Sequence, residues 1–110
     1  MPLLKPKRNN GTVAANGTVT LSYAPPSTYK WQVGHIGVSS TSALASSASV
    51  FVDGTFYCGT SSGNGDSADG TPLQVNDTSI ITITWTGATP GSLVAAVLLV
   101  QEVQHNEPFI

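Results

Sequence analysis

The chain has 110 residues, of which 40% are hydrophobic and 9% charged, with a net charge of −2. That is one domain with one two-layer core, and its charged fraction lies far below the roughly 25% of an ordinary soluble domain. Lys5, Lys7 and Arg8 fall in the first eight residues and leave Lys30 alone to face six later carboxylates, so the body lacks the cationic stripe that nucleic-acid binding needs.

Residues 1–16 read as an extended arm. Pro2 and Pro6 disfavour helix, and the tetrad Asn-Gly-Thr-Val, present at 10–13 and again at 16–19, suggests an extended segment crossing a turn. No apolar run of roughly 7–15 residues follows the basic cluster as in a secretory leader. The run Leu93 to Val100 is too short to span a bilayer. The expectation is a protein made in the cytoplasm that does not insert into a membrane.

From Gly17 the chain reads as strand after strand. Val19, Leu21 and Tyr23 alternate with Thr18, Thr20 and Ser22, the period of a half-buried strand, and Pro25-Pro26 ends it. Tyr29, Trp31 and Val33 share a face of the next strand. After Gly34-His35 the apolar phase slips by one residue to Ile36 and Val38, as a β-bulge at glycine predicts. Ser39 to Ser49 is rich in Ser and Ala and fits a loop, a helical turn or a weak edge strand. Asp53-Gly54 between two β-rich runs predicts a two-residue type I′ hairpin.

Gly59 to Gly70 reads as a polar loop. Pro72 to Val75 is a short strand, and Ser79 to Trp85 is a strand with Ile81, Ile83 and Trp85 on one side. Leu93 to Val103 closes the body as a central strand, apolar on both faces over its middle. The expected fold is all-β: one antiparallel β-sandwich or jelly-roll-like domain of seven to eight strands over residues 17–103. An extended N-terminal docking arm occupies 1–16 and a tail occupies 104–110. The expected core is Trp31, Val33, Phe51, Tyr57, Ile81, Ile83, Trp85, Val97 and Leu99.

Catalytic chemistry is not legible. His35 and His105 stand apart with no HExxH or His-x-His spacing, no Gly-x-Ser-x-Gly elbow occurs, and Cys58 is the one cysteine, which rules out an internal disulfide or a CxxC site. The chain reads as non-enzymatic, with no cofactor and no metal. Asn64, Asp66 and Asp69 offer oxygen donors at a spacing that Ca²⁺ could use, but Ala68 breaks the EF-hand pattern. Asn10, Asn16 and Asn76 head N-x-T triplets without a secretory signal. Leu3 and Leu4 beside Lys5, Lys7 and Arg8, and Phe109-Ile110 after Pro108, place apolar side chains on the ends of the chain, where a partner surface would cover them.

The hairpin Val50-Phe51-Val52-Asp53-Gly54, the Gly/Asp-rich loop, Pro72-Leu73-Gln74-Val75 and the segment Ile83-Thr84-Trp85-Thr86-Gly87-Ala88-Thr89-Pro90-Gly91 resemble small virion proteins of tailed bacteriophages, those of actinobacteriophages in particular. The resemblance spans residues 17–103. It implies a structural β-sandwich present in many copies, made in the host cytoplasm and carried on the virion, with no catalytic residues. The reading it favours is a capsid decoration (cement) protein on the capsid exterior. Leu3, Leu4, Lys5, Lys7 and Arg8 of the arm would dock on the major capsid protein or another virion protein, and the body would form a homo-oligomer, a trimer for preference. Deleting residues 2–16 would then leave a folded domain that cannot load. A small tail or tail-tip protein is the second reading. A carbohydrate-binding sandwich, with Tyr29, Trp31 or Tyr57 stacking on sugar, is the third.

Overall fold

The computed structural model describes residues 4–42, 47–60, 65–67 and 73–109, with backbone alone at 60 and 65–67. Every regular element among them is a strand: β1 (Lys5–Thr12), β2 (Val19–Tyr23), β3 (Tyr29–Ser40), β4 (Ser47–Val52), β5 (Thr55–Thr60), β6 (Gly65–Ser67), β7 (Leu73–Asn76), β8 (Ile81–Thr86) and β9 (Leu93–Gln104). They form two antiparallel sheets. The first runs β1-β9-β3, and the far edge of β3 is shared by β7 and β6. The second runs β2-β8-β4-β5. The molecule is an all-β sandwich, as the alternation predicts.

The core follows from period-two patterning. Val94, Ala96, Leu98 and Val100 of β9 face Leu21 and Tyr23 of β2, Val50 of β4, and Ile81, Ile83 and Trp85 of β8 across one buried cluster. Each large apolar side chain there contributes ~1.5–3 kcal/mol by leaving water. Tyr23 also ties the sheets together, its buried hydroxyl donating to the Ala96 carbonyl at 2.9 Å. Burial pushes this phenol up to about 12, against a smaller opposite effect of the Asn9 backbone.

Local chemistry explains the turns. Asp53 and Gly54 both take positive φ, 51° and 84°, as the type I′ hairpin between β4 and β5 requires. Ala14 to Gly17 form the tight turn between the two Asn-Gly-Thr-Val tetrads, with the Gly17 N–H donating to Ala14 O at 2.9 Å. Gly17 has φ +82°, and a Cβ there would meet Ala88 O at 3.0 Å. The Asn16 and Asn76 side chains each accept from the backbone N–H two residues on, at 3.2 and 3.0 Å. These N-x-T triplets therefore serve as Asx turns.

The bulge in β3 lies where the phase slip puts it. Val33 pairs with Val100 and His35 with Leu99, leaving Gly34 without an opposite number. A second bulge, in β5, carries no glycine. Val50 pairs with Cys58 and Phe51 with Phe56, so Tyr57 is the extra residue.

Four expectations are corrected. Residues 5–12 are not a free arm. They are β1, paired along its whole length with β9, so the sandwich begins well before residue 17. Ser39 and Ser40 complete β3 and Ser47 opens β4, while residues 43–46 lie outside the described set. Within the stretch read as a polar loop, Gly65–Ser67 forms β6 against β3. The phase of two strands is the reverse of that expected: Phe51 points outward from the second sheet, and Val97 and Leu99 outward from the first, because Val50, Leu98 and Val100 take the inward positions, while Tyr57 is half-buried against the core.

Candidate docking surfaces

The basic segment divides by strand parity. Lys5 and Lys7 lie opposite Val100 and Leu98, which are core residues, so their side chains share the inward side of the first sheet. There they meet Glu102, in register with Trp31 at the end of the core. Lys5 Nζ lies 3.4 Å and Lys7 Nζ 3.2 Å from the two carboxylate oxygens of Glu102, a side chain only 10% exposed. The Trp31 indole N–H donates to Glu102 at 2.8 Å, and the Lys7 ammonium sits 5.6 Å from the Trp31 ring centroid. Burial pushes the Glu102 carboxyl up, but the Trp31 hydrogen bond and the two ammonium groups outweigh it and hold the group below its ordinary value. Two of the three N-terminal cations are therefore committed within the fold. Lysines and a proline on an edge strand also block edge-to-edge pairing.

Arg8 has the other parity. It is exposed and lies opposite Val97, and among the described residues it has neither a carboxylate nor a ring partner. It borders the outward side of β9, where Leu93, Ala95, Val97 and Leu99 form an apolar row. Leu93 is 59% exposed. Gly37 and Ser39 of β3 flank Val97 and Ala95. Because these positions carry little or no side chain, the sheet surface sinks into a trench of about 540 Å³. Past Asn10 and Ala95 it runs into a second hollow of about 430 Å³ beside Leu93. At the other end of the row Gln101 is 4% exposed, and its Oε1 has no hydrogen-bond partner among the described residues.

The outward side of the second sheet is different. Thr20 and Thr84 share a hydroxyl–hydroxyl hydrogen bond at 3.0 Å, as do Ser47 and Thr86. At the hairpin end this hydroxyl surface gives way to an apolar corner. Phe51 and Phe56 meet edge to face with centroids 5.9 Å apart. Phe56 is 60% and Ile80 45% exposed. Asp53 is bound to Ile80 twice, its own N–H donating to Ile80 O and its Oδ1 accepting from the Ile80 N–H, both at 2.9 Å.

The tail folds back on the body as far as Phe109, whose ring lies 4.8 Å from the Lys30 ammonium. Beside it, His105 Nε2 is 3.0 Å from Asp77 Oδ1. Asp77 Oδ2 accepts the Thr28 N–H at 2.9 Å, fixing a threonine at φ 72°. The Thr28 amide is the main influence holding Asp77 below its ordinary value, with His105 adding to it.

The remaining expected site residues are scattered. Leu4 is 45% exposed just ahead of β1. Leu3, Ile110, Asn64 and Asp69 lie outside the described residues, and only the backbone of Asp66 is described, in β6. Among the described residues no group of three His, Cys, Asp or Glu side chains could hold a metal ion. Cys58 is half-buried and packs on the core. Trp31 and Trp85 are buried at 3% and 0% exposure, so neither indole offers a face to a sugar, and Tyr29 and Tyr57 are half-buried. The exposed apolar residues Phe56, Ile80 and Leu93 were not singled out by the sequence. Their residue types are those of the core, and only strand parity could have marked them.

No protein-family model, no curated protein and no solved structure matches the chain. The described residues present two apolar patches on opposite sheets, each beside one exposed charge.

Proposed function

We propose that this chain is a non-enzymatic structural protein of a bacteriophage virion, a capsid decoration protein that stands among copies of itself on the outside of the shell. The reading is carried by the apolar row Leu93, Ala95, Val97 and Leu99 on the outward face of a central strand. A weakly charged sandwich gains nothing from leaving Leu93 and Ala95 exposed and Val97 and Leu99 only half-buried, and exposed apolar patches mark contact surfaces. The likeness of residues 50–54 and 83–91 to small phage virion proteins supplies the setting. The docking route differs from a peeled-off arm. Residues 5–12 are a sheet strand, so the contacts of the assembled protein lie on the faces of the folded sandwich.

The test is a copy count on purified particles by quantitative mass spectrometry. Hundreds of copies per particle are expected for a capsid protein. A small multiple of three or six moves the protein to the tail, and its absence from particles removes the virion reading altogether.

A further inference from the structure

We propose that the trench over β9 receives the Phe56–Ile80–Asp53 corner of a second copy of this chain, in a head-to-tail contact. The proposal rests on reading the β9 face as a contact surface, and it names the occupant.

The exposed large apolar side chains among the described residues are Leu4, Phe56, Ile80 and Leu93. Leu93 stands on the first sheet, and Leu4 leads into it. Phe56 and Ile80 stand on the second. The two patches differ in shape. Around Phe56 the surface is a knob, with one phenyl ring buttressed edge-on by another. Around Ala95 and Gly37 it is a hollow, where the small residues Gly37, Ser39 and Ala95 lie between Val97 and the bordering Arg8 and Asn10. Aromatic anchors that fill such pockets dominate the energy of protein contacts.

The charges also match. Arg8 borders the hollow with no partner among the described residues. Asp53 borders the knob with Oδ1 on the Ile80 N–H and no described partner on Oδ2. A carboxylate meeting a guanidinium at the rim fixes register. A contact of trench with trench would bring together two surfaces of the same sign and leave Phe56 and Ile80 in water. Knob into trench covers both patches at once. Because the two surfaces lie on opposite sheets, each copy offers one to either neighbour. Such a heterologous contact builds a ring when its rotation closes and a filament when it does not.

The test uses the isolated full-length protein, so its outcome is separate from the particle count. Sedimentation velocity over a wide concentration range is expected to show species larger than a dimer. Phe56→Ser should weaken association by about tenfold or more. Arg8→Ala and Asp53→Asn should each weaken it by up to about fivefold. Asn preserves the positive-φ turn and the oxygen that accepts from Ile80. The double variant should be no weaker than either single variant, because the two groups act on each other. Thermal melting checks that each variant is folded. A protein that stays monomeric throughout overturns the proposal. So does an oligomer that Phe56→Ser leaves intact, or additive effects of the two charge variants.

Discussion

The strands β8 and β9 hold the same position in their two sheets, each with a neighbour on either side, yet they dress their outward sides in opposite ways. Outward from β8 stand Thr82, Thr84 and Thr86, and two of these hydroxyls bond to a Thr or Ser on an adjacent strand. Outward from β9 stand Leu93, Ala95, Val97 and Leu99. A hydroxyl face is finished by its own hydrogen bonds and by water. An aliphatic face is finished only by other apolar atoms, and nothing in the described chain covers Leu93. The hydrophobic content of the sequence thus serves two purposes, a core and an outer contact, and of these two central strands only β8 shows the alternation of a face left to solvent.

The most severe way to disturb this contrast is to remove residues 1–12. That strips β1 from β9, exposes a long apolar strand edge and releases Glu102 from both lysines. The truncated chain is expected to lose its cooperative thermal transition. A melt like that of the intact protein would mean that the first sheet stands without β1.

Next in size is Trp85→Ala. The ring is fully buried, and its loss should cost ~3–5 kcal/mol in denaturant unfolding. Thr84→Ala, on the other side of the same strand, should cost only ~0.2–1 kcal/mol through its lost cross-strand pair.

Glu102 gives the first sheet a pH dependence. Its folded pKa lies below the ordinary value of 4.5, so its contribution is fully present above that value and is lost as pH falls through the lowered folded pKa. Glu102→Gln should cost ~1–3 kcal/mol at neutral pH and flatten the acid limb of the stability curve. An unchanged acid limb would show that the Lys5–Glu102–Lys7 cluster does not bear on folding. The smallest effect is expected for Leu93→Ser. Unfolding of the monomer at low concentration should shift by no more than ~0.5 kcal/mol, because the side chain is mostly in water.

What the sequence made legible was local. The Asp53-Gly54 turn and the Gly34 bulge depend on backbone preferences of one or two residues. The strand at 79–85 follows from strict alternation. β1 was hidden because the carboxylate that accounts for its lysines lies 97 residues away from Lys5. The phase of β9 was hidden because both of its sides are apolar, so hydrophobicity alone could not say which one faces the core. Phe51 is hard to place from sequence because Val50, Phe51 and Val52 are all apolar, so hydrophobicity alone does not say which of them face the core. For the docking surface, Arg8 was visible as a charge in search of a partner. Phe56, Ile80 and Leu93 were not, since an exposed leucine has the same letter as a buried one.

Gly34 has one more consequence, for how the chain tolerates a change in length. Deleting it would restore strict alternation from Trp31 to Val38 and keep Val33, Ile36 and Val38 on the side they now occupy. The deletion would therefore leave the inward residues inward but change the geometry of the sheet. Below the bulge β3 pairs with β7 at Lys30 to Val33, and above it with β6 at Ile36 to Val38. The inserted residue is the joint at which one long border becomes two short ones. A straightened β3 would offer a single uninterrupted border, the kind of template that recruits strands from other molecules.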